Sequence, residues 1–195
     1  MRPDIDSVSV DGTIVRPVAS YSYVLFYKPK GCITSVRDDK GRKTVFDYLD
    51  LKIPGLVPVG RLDYDTEGML LLTNDGDLAF ALTHPSHEVP KTYSVRIEGE
   101  ILESELATLR KGVVIDGKKT ARSKVKRIEY KDGFTKLQVT ITEGRNRQIR
   151  KMFEAVGKQV VFLKRVAVGE LRLGGLARGG YRFLHDDEIA YLKSL

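Results

Sequence analysis

Apolar and polar side chains alternate along much of the second half of the chain, most regularly in residues 134–142. There Leu137, Val139 and Ile141 are separated by polar residues, which is the period of two expected of a strand with one solvent-exposed face. Similar apolar runs elsewhere predict further strands. The six predicted strands are Tyr21–Tyr27, Gly68–Thr73, Thr92–Glu98, Ala121–Tyr130, Phe134–Thr142 and Gln159–Val168.

Other segments have the wider apolar spacing of amphipathic helices. The clearest one carries Ile149, Met152, Phe153 and Val156 on a single helical face, and Asn146 is its predicted N-cap. The predicted helices are Thr44–Leu49, Asp77–Leu82, Ser104–Lys111, Asn146–Val156 and Asp187–Leu195.

The order of these elements indicates the class of fold. Strands outnumber helices, and the Asp132-Gly133 dipeptide between two of them predicts a tight hairpin turn. Strands joined by hairpins are antiparallel, whereas a doubly wound fold would alternate each strand with a helix. We therefore predict an α+β fold with a mixed, largely antiparallel sheet and flanking helices.

The composition is that of a globular protein with one sizeable domain. Of its 195 residues, 42% are hydrophobic and 30% are charged, which excludes intrinsic disorder. No apolar stretch approaches the about 18 residues that span a bilayer, and the N-terminus lacks the apolar core of a secretory signal. The single cysteine, Cys32, excludes an internal disulfide and a Cys-based metal centre. We expect a cytoplasmic protein.

Charge is distributed unevenly along the chain. The net charge is +7, but residues 110–165 contain 17 Lys and Arg against 5 Asp and Glu, and the rest of the chain is net negative. A segment this basic favours a polyanionic partner, of which nucleic acid is the commonest. A lysine-rich surface without a partner remains the alternative at this point.

The most informative segment is a polar loop that leads into an apolar strand, Gly60–Gly76, with the sequence GRLDYDTEGMLLLTNDG. A phosphate-binding loop is excluded, because Arg61 and Leu62 stand where that motif requires Lys and a hydroxyl residue. A calcium loop is disfavoured, because Asn74 occupies the position of the bidentate Glu. The remaining interpretation is a loop that holds one carboxylate beside a buried strand, as a catalytic site requires.

This segment resembles the signature loop of pseudouridine synthases, and it is most similar to the family that modifies single uridines in bacterial ribosomal RNA. Two further motifs occur in the family's order. Lys91-Thr92-Tyr93 is similar to its Lys-x-Tyr strand, and Glu143–Phe153, EGRNRQIRKMF, to its third motif. Lys28–Gly31 also fits. The resemblance covers residues 21–195 and implies this family's catalytic domain, with an active-site cleft across the sheet.

The resemblance implies an isomerisation in which uracil leaves the ribose through N1 and is rejoined through C5. This reaction is redox-neutral, so we expect no cofactor and no metal ion. It requires one ionised carboxylate at the sugar. Asp63 matches the family's catalytic aspartate, which either attacks C1′ or removes a proton from C2′. A structural role for Asp63 in the turn is the alternative.

The resemblance also implies which residues bind substrate. Tyr93 would stack on the flipped base, with an ordinary core aromatic of the strand as the alternative, and Arg150 would pair with the catalytic carboxylate. Arg61 lies two residues before Asp63, so on an extended segment it shares the face of Asp63, and we expect it to fill the gap left in the RNA. Four cations are expected to contact the RNA backbone: Lys91, Arg145, Arg147 and Lys151.

The expected partner is ribosomal RNA, and we expect a monomer without membrane contact. The forms GRNRQIR and HPSHEVPKTY favour large-subunit RNA, while small-subunit RNA stays open. Two other functions also stay open. One is a hydrolase that cuts an N-glycosidic bond in RNA, and the other is a non-catalytic RNA-binding module.

The N-terminal segment resembles the end of a different unit. Residues 1–20 are expected to be a linker and the remnant of a small RNA-binding module of the kind named after a ribosomal protein, most of which would lie upstream. Val8, Val10, Ile14 and Val15 predict a hairpin around Asp11 and Gly12.

Overall fold

The computed structural model describes residues 8–11, 13–15 and 20–195. Four α-helices are present in these ranges: α1 (Gly76–Thr83), α2 (Glu103–Lys111), α3 (Gln148–Glu154) and α4 (Asp186–Lys193). The strands of the same ranges are β1 (Val8–Val10), β2 (Thr13–Val15), β3 (Tyr23–Lys28), β4 (Val57–Val59), β5 (Glu67–Thr73), β6 (Lys91–Glu98), β7 (Val114–Ile115), β8 (Lys118–Lys119), β9 (Lys124–Lys131), β10 (Phe134–Ile141), β11 (Val160–Val168), β12 (Leu171–Arg172) and β13 (Tyr181–Phe183).

One large sheet organises the part of the chain that the structure describes. Its strands are ordered β13-β3-β5-β11-β6-β10-β9, with β4 paired to β5 and β12 paired to β11. Every pair is antiparallel except β5 with β11. The predicted α+β fold with a mixed, largely antiparallel sheet and flanking helices is therefore confirmed.

Apolar side chains pack on both faces of this sheet. Alternate residues of β3 illustrate the division, since Val24 and Phe26 belong to one core while Leu25 belongs to the other. The first core includes residues of α2 and α3, and the second includes residues of α1 and α4. Strands β3 and β5 are buried along their whole length, which gives the loops at their ends a rigid base.

The parallel pair β5–β11 is short and very close at one point. Its paired positions are Glu67 with Lys164 and Gly68 with Arg165. A Cβ atom on Gly68 would lie 2.2 Å from the carbonyl oxygen of Arg165, and the φ angle of Gly68 is +112°. Only glycine combines that backbone conformation with such a close approach. Gly68 thus joins the signature loop directly to β11.

The structure corrects two local predictions. Thr44–Leu49 contains a short 3₁₀ helix, Val45–Tyr48, which Thr44 caps. Helix α3 begins at Gln148 rather than near Asn146, and its N-cap position is Arg147 in a left-handed conformation. No side chain of the described residues caps this helix, and the Gln148 side chain instead accepts a hydrogen bond from the Arg145 backbone N–H at 2.9 Å, which holds the segment before α3.

The predicted N-terminal hairpin is confirmed in its strands. Strand β1 pairs antiparallel with β2, with Val10 opposite Thr13. Residues 1–7, 12 and 16–19, on which the rest of that prediction falls, lie outside the described residues. In the ranges that are described, no helix has the length and apolar character needed to cross a membrane.

Candidate active site

A cleft of about 210 Å³ opens at one end of the β5–β11 pair. The signature loop, β6, β11 and the segment before α3 form its walls. Beyond their last paired residues, β5 and β11 both continue along the wall of the cleft. The cleft therefore lies across the sheet. Its polar lining includes Arg61, Asp63, Thr66, Lys91, Tyr93, Glu143, Arg145, Arg147, Gln148 and Arg165.

The buried side chain of Lys28 anchors the signature loop through hydrogen bonds. The Lys28 side chain is fully buried at the end of β3, and its Nζ donates to the carbonyl oxygens of Asp63 at 3.0 Å and Thr66 at 2.9 Å. A third bond, also 3.0 Å long, goes to the carbonyl oxygen of Pro29. Burial lowers the pKa of Lys28, and the nearby thiol of Cys32 and carboxylates of Asp63 and Asp65 oppose that effect. The ammonium group fixes the loop backbone on either side of the turn.

The outer side of the loop is anchored as well. Thr34 Oγ1 donates to the carbonyl oxygen of Leu62 at 2.9 Å and accepts from its N–H at 3.2 Å. The N–H of Gly31 donates to the carbonyl oxygen of Tyr64 at 2.9 Å. Because backbone atoms on both sides of Asp63 are held in this way, the fold fixes the backbone from which its side chain extends.

The Asp63 carboxylate itself is unengaged. It is half-buried and lines the cleft, and no hydrogen bond or ion pair to it is present among the described residues. Arg61, two residues earlier, also lines the cleft and is exposed. The arrangement therefore presents a carboxylate to whatever enters the cleft, with its backbone fixed and its oxygens available.

The structure places Arg150 on a different aspartate from the one predicted. Its Nη2 lies 3.1 Å from Oδ2 of Asp65 and 3.2 Å from the carbonyl oxygen of Asp65, while Nη1 donates to Val160 at 2.9 Å. The predicted ion pair between Arg150 and Asp63 is therefore wrong for this structure. The first residues of α3, Gln148 and Ile149, line the cleft, whereas Arg150 is not among the lining residues.

Arg147 binds the same aspartate in a bidentate arrangement. Its Nη1 and Nη2 donate to the two carboxylate oxygens of Asp65 at 3.0 and 3.1 Å. Burial alone would raise the pKa of Asp65, but the hydrogen bond from Arg147 and the charges of Arg150 and Arg147 outweigh it and lower the pKa. Asp65 is thus an ionised anchor between the signature loop and the start of α3.

Two of the other predicted backbone contacts also have protein partners. The Arg145 guanidinium donates to the carbonyl oxygens of Lys118 and Lys119 at 2.8 and 2.6 Å, and so ties the β7–β8 hairpin to the cleft wall. Lys151 forms an ion pair of 2.7 Å with Asp116 of the same hairpin and does not line the cleft.

The sheet wall of the cleft carries Tyr93, Lys91 and Arg165. Tyr93 is 9% exposed on β6, and Arg165 of β11 is its direct cross-strand neighbour. Lys91 was predicted as a backbone contact, but the structure places it half-buried inside the cleft. Arg165 was not predicted at all, because it stands in the apolar run VVFLKRVAV, where the pattern indicates only a buried strand.

Comparisons with known proteins agree with this geometry. The family model described as RNA pseudouridylate synthase matches residues 22–155. Ribosomal large subunit pseudouridine synthase B of Bacillus subtilis (strain 168) is 43% identical over 195 residues, which cover 97% of this chain and 78% of that protein. The protein of the same name from Salmonella typhi is 40% identical over 196 residues, covering 96% and 67% respectively.

A solved structure shows the same similarity in three dimensions. It is described as a crystal structure of pseudouridylate synthase, and it superposes on this chain with a TM-score of 0.81 and 33% sequence identity. The superposition covers 92% of this chain and 76% of the other. The similarity thus extends over most of this chain.

Proposed function

The chain belongs to the RNA pseudouridylate synthase family, and from that premise we propose that it isomerises a specific uridine of large-subunit ribosomal RNA to pseudouridine. The relatives from Bacillus subtilis and Salmonella typhi, both described as acting on the ribosomal large subunit, support this choice of RNA. The basic character of residues 110–165 supports a nucleic-acid partner more generally. No cofactor is expected, because the reaction is redox-neutral.

The proposal rests on the surroundings of the Asp63 carboxylate. Lys28 and Thr34 fix the loop around it, while its carboxylate is free of partners among the described residues and faces the cleft. A carboxylate that served only to stabilise a turn would be expected to accept backbone hydrogen bonds, as Asp75 does from Leu78 at the start of α1. Asp63 is therefore suited to act on a substrate.

In the proposed reaction Asp63 acts at the ribose of a uridine flipped into the cleft. It either attacks C1′ or removes the proton from C2′, and in both routes the bond between C1′ and N1 breaks. A base inside a helix cannot be reached in this way, so the target is unstacked first, at a cost of a few kcal/mol. We propose Tyr93 as the stacking platform for the base and Arg61 as the residue that enters the gap in the RNA.

The arginines around Asp65 have a supporting role in this proposal. Because Arg150 contacts Asp65 and not Asp63, we assign it to holding the loop rather than to ionising the catalytic carboxylate. Arg147 and Arg145 line the cleft, and their exposed edges can contact RNA phosphates while their inner edges hold the protein together. Lys151 lies farther out and is proposed as a contact to flanking RNA.

The same proposal extends to assembly and location. We propose a monomer as the active species. A ribosomal RNA substrate would place the protein in the cytoplasm. Residues 21–195 would form the catalytic domain.

The test is to incubate the protein with transcripts of large-subunit and small-subunit ribosomal RNA and to map pseudouridine by carbodiimide-dependent primer-extension stops. We expect one new stop in the large-subunit transcript and none in the other. A new stop only in the small-subunit transcript would show that small-subunit RNA is the substrate instead. Release of free uracil would indicate the N-glycosidic hydrolase, and tight binding without either product would indicate a non-catalytic RNA-binding module.

A further inference from the structure

Two cations in the cleft lack the partners that the other enclosed cations have. Lys91 makes no side-chain hydrogen bond or ion pair within the described residues, and Arg165 makes one hydrogen bond, from Nε to the carbonyl oxygen of Met69 at 2.7 Å. Arg165 is nevertheless only 5% exposed. Lys28, which is equally enclosed, donates three hydrogen bonds.

The free nitrogen atoms of both side chains reach the cleft. In the described part of the chain, the enclosed side-chain polar atoms without a partner are Thr66 Oγ1 and Arg150 Nε. Lys91 Nζ and the two Arg165 Nη atoms also have no hydrogen-bond partner, yet they do not belong to this enclosed group. These nitrogen atoms are therefore accessible to solvent. Since both residues line the cleft, that solvent is the cleft itself.

Strand register places these cations on either side of Tyr93. Arg165 is directly opposite Tyr93 on the neighbouring strand, and Lys91 precedes Tyr93 by two residues on the same face of β6. The residue opposite Lys91 is Val168, three positions after Arg165, because a β-bulge lies between Arg165 and Ala167. Burial lowers the pKa of Lys91, and the charge of Arg165 lowers it further, so each of the two cations disfavours the charge of the other. This arrangement is costly without an anion to offset it.

We propose that Lys91 and Arg165 bind the uracil ring and stabilise it as it leaves the ribose as an anion. The inference rests on the proposed function and assigns Lys91 to the base rather than to the RNA backbone. The neighbour that both cations share is the proposed stacking platform, Tyr93. That position favours contact with the carbonyl oxygens of the stacked base over contact with a phosphate outside the cleft.

The electron balance of the reaction explains why cations are needed there. When the bond from C1′ to N1 breaks, its electron pair stays on uracil and is shared among N1, O2 and O4. C1′ receives a pair from the Asp63 carboxylate, or from the C2′–H bond whose proton Asp63 takes. C5 of the uracil anion then bonds to C1′, the C5 proton is lost and N1 gains one. In the first route the Asp63–C1′ bond breaks as the C5–C1′ bond forms, and its electron pair returns to the carboxylate. In the second route the proton that Asp63 took returns to C2′, so neither route consumes another reactant.

Positive groups fixed beside O2 or O4 stabilise this anion more than the neutral base in the ground state. They therefore lower the barrier without simply tightening RNA binding. A phosphate contact would do the reverse, because it would strengthen binding equally before and during the reaction.

The test uses Lys91→Met, which removes the charge from a side chain without a partner and therefore leaves folding contacts in place. The target position mapped with the wild-type protein carries either uridine or 5-fluorouridine in two otherwise identical RNAs. Fluorine makes uracil more acidic and thus a better leaving group that needs less stabilisation. Loss of the parent nucleoside is followed in single turnovers at saturating protein. Lys164→Met, a half-buried lysine on the opposite face of the same sheet, is the control.

For Lys91→Met we expect uridine to react about 100-fold more slowly than with the wild-type protein and 5-fluorouridine to be slowed at least several-fold less. RNA affinity should stay within about twofold, Lys91→Arg should recover most of the rate, and the control should match the wild type. Equal slowing on both RNAs, or lost affinity at an unchanged rate, would overturn the inference. Failure of the wild-type protein to convert uridine would instead overturn the proposed function.

Discussion

Arg150 binds Asp65, the residue two positions after Asp63. The contact joins Nη2 to Oδ2 at 3.1 Å and is reinforced by a bond to the Asp65 backbone at 3.2 Å. Two aspartates that are two positions apart in the sequence therefore have different roles. Asp65 connects the loop to helix α3 through two arginines, and this leaves the carboxylate of Asp63 without a partner in the described structure.

This relationship predicts that Arg150 and Asp65 act as a unit. Arg150→Leu and Asp65→Asn should each lower the turnover number at saturating RNA by about 10-fold or more, because either change loosens the loop. The double variant should lose little beyond the worse single one, as coupled residues do. Kinetics of the three variants measure this. Additive losses would show that Arg150 acts on a group other than Asp65.

Asp65 also predicts a dependence of stability on pH. Its pKa is lower in the folded protein than the ordinary value of about 3.9, so its ionised form stabilises the fold. This contribution is complete above about pH 5 and disappears as the pH falls through the folded pKa. Urea unfolding should show Asp65→Asn less stable than the wild type at pH 7, with the difference shrinking by pH 3. A difference that grew on acidification would contradict the assignment.

Lys28 should be essential to both stability and turnover. Lys28→Met leaves the carbonyl oxygens of Pro29, Asp63 and Thr66 without their donor, which should reduce the free energy of unfolding by about 2–4 kcal/mol. Lys30→Met is the matched control, because Lys30 is exposed and should change stability by less than about 0.5 kcal/mol. Chemical denaturation of both variants measures this. Similar losses would show that Lys28 does not hold the loop.

Gly68→Ala is expected to cause a steric clash, and Gly76→Ala in the same protein serves as the control. Gly68→Ala would place Cβ 2.2 Å from the Arg165 carbonyl oxygen, so strands β5 and β11 must separate and stability should fall by at least about 3 kcal/mol. Gly76→Ala, at the first residue of α1 with no atom within 4 Å of the new Cβ, should be neutral or stabilising. Thermal unfolding compares them, and a stable Gly68→Ala protein would refute the close contact.

The sequence predicted the parts of the fold that have a regular period. Strand β10 and helix α3 were located because their buried residues recur every two or every three to four positions. Strand β4, Val57–Val59, was missed, since its three residues are too few to show a period. The family, inferred from three motifs in order, is confirmed by the match to residues 22–155 and by a relative that is 43% identical over 97% of this chain.

The site was predicted less completely because its contacts link distant positions. The motifs identified Asp63 and Tyr93, which the structure brings into one cleft. No local pattern shows that Lys28 reaches carbonyl oxygens 35 and 38 residues away, or that Arg150 reaches across 85 residues to Asp65. In the sequence, Arg165 stands within the apolar run of β11, so no local pattern marks it as a site residue. These assignments depend on how strands and loops are placed in space.

The most direct test of the central claim is a single-turnover measurement with Asp63→Asn. The substitution keeps the size and shape of the side chain but removes the carboxylate, which can then neither attack C1′ nor accept the C2′ proton. With large-subunit ribosomal RNA at saturating protein, we expect no detectable pseudouridine from this variant and RNA affinity within about threefold of the wild type. Pseudouridine formation at more than a few per cent of the wild-type rate would contradict the assignment of Asp63 as the catalytic residue.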